Sequence, residues 1–110
     1  MMDDIEEITT PEQFDSEVLQ GELPVVVTFY ADWCGDCKAL CPHVEQWARD
    51  YDGRMKFVRV EDAHRDLEET YGVHMIPDVI VFVRGKLTCR WVNVTDPAAY
   101  RATFDRIVGA

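Results

Sequence analysis

The sequence predicts an α/β protein of one domain, residues 1–110, with a central mixed β-sheet flanked by helices on both faces. Three observations carry this. Helix-type and strand-type segments follow one another in the order αβαβαββα. The run Pro24-Val25-Val26-Val27-Thr28-Phe29-Tyr30 is apolar and rich in β-branched and aromatic residues, which suits a buried strand. Two later strand segments flank Arg84-Gly85-Lys86, a hairpin signal that makes part of the sheet antiparallel.

Each element has a local reason. Thr10-Pro11-Glu12-Gln13 opens a helix with Thr as N-cap, Pro at the first helical position and Gln three residues after the cap. Phe14, Val18 and Leu19 face inward, and Gly21 ends the helix. Residues 24–31 form the central strand. Leu40, Val44, Trp47, Ala48 and Tyr51 recur at helical spacing, so a helix runs from Gly35 to Asp50 and stops near Gly53. Lys56 to Glu61 is the next strand, and Asp66 to Tyr71 a short helix ended by Gly72. Asp78 to Val83 and Leu87 to Val94 form the hairpin. Asp96-Pro97 caps a last helix that buries Tyr100, Phe104, Ile107 and Val108.

Composition narrows the function. Hydrophobic residues make up 47% of the chain, enough for a globular core without staples. The net charge of −10, from 21 acidic and 11 basic residues, argues against nucleic acid and anionic membrane surfaces. No apolar run approaches the roughly 20 residues that cross a membrane. The acidic start Met1-Met2-Asp3-Asp4-Ile5-Glu6-Glu7 does not read as a secretory signal, so a cytoplasmic location and a monomer are expected. In a reducing compartment the four cysteines are catalytic or free rather than structural.

The most informative segment is Cys34-Gly35-Asp36-Cys37, preceded by Ala31-Asp32-Trp33. It lies between the buried strand and the long helix. A thiolate at Cys34 would be stabilised there by unpaired backbone N–H groups and the helix dipole. A Cys-x-x-Cys beside a β-α-β pattern reads as a redox pair. The first sulfur is expected to be exposed and the second, one turn inward, partly shielded. A zinc half-site built from Cys34, Cys37, Cys41 and His43 is the competing reading. On one continuous helix His43 points away from the cysteine face, so no metal is expected. Cys41 shares the face of Cys37 and reads as packing, with an auxiliary thiol as the alternative. Cys89 alternates with Thr88 and Arg90, which favours an inward, packing position.

Trp33-Cys34-Gly35-Asp36-Cys37-Lys38 resembles the active-site segment of the thioredoxin family. Tyr71-Gly72-Val73 followed by Ile76-Pro77 is a second matching segment, and Gly85 falls at the family's last hairpin. The resemblance spans roughly residues 10–109. It implies the thioredoxin fold and a thiol–disulfide oxidoreductase that reduces protein disulfides. Cys34 would be the nucleophile and Cys37 the resolving thiol. Trp33, Gly35, Asp36, Lys38 and Pro77 would support the site. Trp33, Met75, Ile76, Pro77 and Asn93 would meet the substrate, with a cis Ile76–Pro77 bond facing the disulfide and Ile76 offering its backbone. No bound cofactor is implied. Electrons would come from a thioredoxin-reductase-type donor, and the substrates would be disulfide-containing proteins.

Three departures from the family stand out. Asp36 replaces the common proline; its charge opposes a thiolate at Cys34, loss of the proline acts the other way in the family, and the sequence leaves the net sign open. Thr28 stands where the family buries an aspartate as proton acceptor, so Cys37 needs another route, such as water or Asp36. Asn93 stands where the family often has glycine, and with Met75 it alters the substrate-facing rim. Arg59 takes the place of a third-strand lysine. His64 and His74 are further catalytic suspects, with solvation as the plainer reading. The missing acid leaves room for a second class: a binding module of the same fold with little turnover.

Overall fold

The computed structural model describes residues 2–109. In chain order the elements are β1 (Glu6–Glu7), α1 (Pro11–Phe14), β2 (Val25–Tyr30), α2 (Gly35–Asp50), β3 (Lys56–Glu61), α3 (Arg65–Thr70), β4 (Asp78–Val83), β5 (Lys86–Val92) and α4 (Ala98–Val108). α1 runs directly into π-helical turns at Asp15–Leu19. The five strands lie in the order β1-β3-β2-β4-β5. β1, β3 and β2 are mutually parallel; β4 is antiparallel to both β2 and β5.

β2 is the spine of the sheet, buried at every position. Its side chains alternate between two cores, as strand geometry requires. Val25, Val27 and Phe29 join Ile8, Phe14, Val18, Leu67, Ile80 and Phe82 on the face covered by α1 and α3. Val26 and Tyr30 join Cys37, Leu40, Cys41, Val44, Trp47, Tyr100 and Phe104 on the face covered by α2 and α4. Aromatic rings lock the second layer together. Trp47 lies 4.8 Å from Tyr100 and 5.2 Å from Phe104, between ring centroids. Such pairs add about 0.5–1.5 kcal/mol each beyond area burial.

The expected helix starts are present. Thr10 Oγ1 accepts from the Gln13 N–H at 3.0 Å. Gln13 Oε1 reaches back to the Thr9 N–H at 2.9 Å, one residue before the cap itself. Asp96 Oδ1 accepts from Ala98 N–H at 3.0 Å at the start of α4, where Pro97 holds the N-cap position. α2 continues through Pro42, whose ring cannot donate to the Lys38 carbonyl.

Four expectations need correction. The first strand, β1, precedes the first expected helix, so the order is βαβαβαββα. Two acidic residues carry no apolar pattern. They are held instead by parallel pairing with β3 and by ion pairs of Glu6 with Lys56 at 3.4 Å and Glu7 with Arg59 at 3.5 Å. α3 begins one residue earlier than expected, at Arg65, and ends at Thr70. β5 starts at Lys86 and stops at Val92, because Asn93 turns to a φ of +57°. Leu19, Ile107 and Val108 are half-buried at the core margin rather than within it.

The β4–β5 turn is the tightest point of the fold. Arg84 and Gly85 both have positive φ, +51° and +81°, the signature of a two-residue hairpin turn. A Cβ on Gly85 would lie 2.6 Å from the Leu19 carbonyl oxygen. Gly85→Ala is therefore expected to destabilise the fold by more than the ~1–2 kcal/mol of left-handed strain alone. Urea denaturation of the variant measures this; a change below that range would show that the turn relaxes freely.

Candidate active site

The site begins where β2 ends. Ala31 to Trp33 turn the chain, and Cys34 N–H donates to the Ala31 carbonyl at 3.2 Å. Cys34 is the N-cap of α2, with extended backbone at φ −88° and ψ 117°. Helix N-caps need an acceptor for the first free N–H groups, usually a side-chain oxygen. Here the acceptor is sulfur: Cys34 Sγ accepts from Cys37 N–H at 3.3 Å. That contact satisfies one of the free N–H groups of the helix start.

The two thiols differ in environment. Both are free. Cys37 is 2% exposed and Cys34 9%. The order matches expectation, but Cys34 is largely covered rather than open. Loss of solvent pushes the Cys37 thiol up to about 12, and the neighbouring Cys34 adds to the effect. Burial also pushes Cys41 up to about 11, with Glu45 reinforcing it. Cys89 is raised by burial too, against the pull of Arg106. Cys41 and Cys89 pack in and against the α2–α4 core, as their spacing suggested.

The opposite wall comes from the segment before β4. The Ile76–Pro77 bond is cis. The Ile76 carbonyl oxygen lies 3.8 Å from Cys34 Sγ, and Pro77 is buried. The third wall is the end of β5. Asn93 is exposed in the left-handed region, and its N–H donates to the Pro77 carbonyl at 2.8 Å. That conformation explains why glycine or asparagine suits this position. Trp33 is 73% exposed and Met75 53%, giving the rim apolar surface.

The remaining candidates spread out. Asp36 and Lys38 are exposed in the first turn of α2. Gly35 is not sterically demanded, since an added Cβ meets nothing within 4 Å. His74 is exposed, two residues before Ile76. His64 stands at the start of α3. The His43 ring centroid lies 6.4 Å from that of Trp47.

Thr28 and Arg59 are neighbours in register on β2 and β3. Arg59 is engaged with the N-terminal strand: it donates to the Ile5 carbonyl at 2.9 Å and the Tyr30 hydroxyl at 3.3 Å. Thr28 is buried on the α2 side of the sheet, and its hydroxyl has no hydrogen-bond partner among the described residues. Two residues to which the sequence assigns no site role are Asp78, directly after Pro77, and Arg90, its partner on β5. A carboxylate opening a strand as apolar as Val79 to Val83 was the available signal.

A dithiol whose first sulfur caps a helix, set against a cis-proline at the end of the central strands of a mixed sheet, defines the thiol–disulfide oxidoreductase class. A family model described as Thioredoxin matches residues 6–105, and the chain belongs to the thioredoxin family. It is 33% identical over 99 residues to "Thioredoxin C-2" of Corynebacterium nephridii, covering 89% of this chain and 92% of that one. It is 33% identical over 97 residues to the thioredoxin of Pseudomonas aeruginosa, covering 87% and 90%. The fold is similar to that of mitochondrial thioredoxin 3 from Saccharomyces cerevisiae, with a TM-score of 0.86, 24% identity and coverage of 96% and 97%. The protein is a thiol–disulfide oxidoreductase, and its family implies disulfide-containing protein substrates and a reductase partner.

The unpartnered Thr28 hydroxyl makes a direct prediction. Thr28→Val keeps the shape and removes a buried polar group, so it is expected to stabilise the protein by roughly 1 kcal/mol. Chemical denaturation of the reduced protein checks this. A loss of similar size would mean that the hydroxyl is hydrogen-bonded.

Proposed function

We propose that the protein reduces disulfides in other proteins, with Cys34 attacking and Cys37 resolving. The observation that carries this reading is the asymmetry of the pair. Cys34 Sγ takes the helix-capping N–H and stands against the Ile76 carbonyl, while Cys37 is buried and held protonated.

The Cys34 thiolate attacks one sulfur of the substrate disulfide. A Cys34–substrate bond forms, the substrate S–S bond breaks, and the other substrate sulfur leaves as a thiolate that takes a proton. Cys37 then loses its proton and attacks Cys34 Sγ. The Cys34–Cys37 disulfide closes and the second substrate thiol is released. Two electrons have passed to the substrate. A thioredoxin-reductase-type donor returns them.

The proton of Cys37 cannot go to Thr28, whose hydroxyl is not a base near neutral pH. In this reading water or the Asp36 carboxylate takes it. The substrate lies as an extended segment along Ile76, whose backbone supplies the pairing groups. Trp33, Met75 and Asn93 frame it, and the buried Pro77 holds Ile76 in place. Gly35 and Lys38 complete the first turn of α2.

The site is complete within one chain, so the working form is read as a monomer. The reading places it in a reducing compartment, the cytoplasm, which suits a chain with two further free thiols at Cys41 and Cys89. Among the described residues no helix is long and apolar enough to cross a membrane.

Insulin reduction with a regenerating donor tests the proposal. Cys34→Ser is expected to abolish turnover, and Cys37→Ser to accumulate mixed disulfides with substrate. Full activity in Cys34→Ser would overturn the assignment. No reduction by the unmodified protein would favour a binding module that keeps its cysteines unused.

A further inference from the structure

Asp78 and Arg90 take no part in the thiol chemistry, yet they are joined to the segment that faces it. Asp78 is 1% exposed. Its backbone is flanked by Phe29 of β2 and Val92 of β5, in the interior of the sheet. It shares the strand face of Ile80 and Phe82, on the α1–α3 side, away from Cys37. A carboxylate buried there without a partner costs several kcal/mol.

Arg90 supplies the partner. Its Nε donates to both carboxylate oxygens of Asp78, at 3.0 and 3.1 Å. Its Nη2 donates to Asp78 Oδ2 and, at 3.1 Å, to the carbonyl of Gly72. Gly72 is the left-handed residue that ends α3, with φ +66°. One planar guanidinium therefore ties together the two ends of a short stretch: Gly72 at its start, and Asp78 just beyond its end. Between them run Val73, His74, Met75, Ile76 and the cis Pro77.

Stability alone is a weak reason for this arrangement, because apolar residues of similar size often serve a core as well as a buried ion pair. A lysine could neutralise Asp78. It could not also offer a rigid second donor at the spacing that Gly72 needs.

We infer that Arg90, seated on Asp78, is a positioning residue: it holds the Val73–Ile76 segment at the height where the Ile76 backbone meets an extended protein substrate beside Cys34. This rests on the reductase reading above. Arg90 touches no reacting atom. Its effect therefore falls on recognition of a peptide chain and not on the reactivity of the thiols.

Two variants separate this from a purely structural role. Arg90→Lys keeps a charge for Asp78 and loses the bridge to Gly72. The double variant Asp78→Val with Arg90→Leu removes both charges and guards against a misfolded single variant. In each, amide hydrogen exchange at Val73 to Ile76 is expected to quicken by about tenfold or more, the factor carried by one charge-assisted hydrogen bond. KM for insulin should rise severalfold at unchanged kcat. Reduction of a small aromatic disulfide, which needs no backbone pairing, should keep its rate. Unchanged exchange and an unchanged insulin KM would overturn the inference, as would equal losses on both substrates. Failure of the unmodified protein to reduce insulin strikes the reductase reading alone; the exchange measurement then supports or overturns the clamp by itself.

Discussion

The antiparallel pairing of β2 with β4 is the constraint on which the site depends. Phe29 lies opposite Asp78 in that ladder. β2 ends one residue later, and the chain turns within four residues to Cys34. β4 begins one residue after Pro77. The register therefore brings the start of α2 and the cis-proline bond to the same end of the central strands. β5 ends there as well, because Val92 pairs with Asp78, and Asn93 then closes on the Pro77 carbonyl. A slip of one residue would turn every side chain of β4 to the opposite core. The slip would also carry the buried Asp78 carboxylate into the apolar α2–α4 core, which opposes it.

The chemistry follows from an unequal environment within one helical turn. Both thiols are tucked into protein, but Cys34 receives a backbone N–H and Cys37 gives one. The helix start gives the first sulfur a backbone donor, and burial opposes charge on the second. Thr28 bears on the proton rather than on this inequality. In the family a buried acid sits in its place to accept a proton. Here an unpaired hydroxyl lies under the α2 layer and leaves Cys37 without a carboxylate beneath it. Under the proposed mechanism the consequence is a slow resolving step relative to the first attack, so that mixed disulfides live longer.

Much of this was legible in the residues. The uniform apolar run of β2, the helical spacing from Leu40 to Tyr51 and the Arg84-Gly85 turn each state their structure locally. Cys34 to Cys37 at a strand–helix junction states the redox pair, and Ile76-Pro77 the opposing wall. What escaped was non-local. β1 is two glutamates held by cations on β3, and no local pattern announces a strand whose stability comes from Lys56 and Arg59. The near-complete burial of Cys34 depends on segments distant in sequence, among them the one before β4, whose Ile76 carbonyl lies 3.8 Å from its sulfur. Asp78 reads only as the start of a strand; the β4–β5 register is what shows that Arg90 can reach both it and Gly72.

The central claim is that Cys34 and Cys37 form one reversible disulfide set apart from the other thiols. Equilibration of the protein against glutathione redox buffers, followed by acid quench, alkylation and mass spectrometry, measures it directly. A single two-electron transition confined to Cys34–Cys37, with Cys41 and Cys89 alkylated as free thiols throughout, is the predicted result. A Cys37–Cys41 disulfide at equilibrium, or stable glutathione adducts without closure of the Cys34–Cys37 bond, would contradict the account.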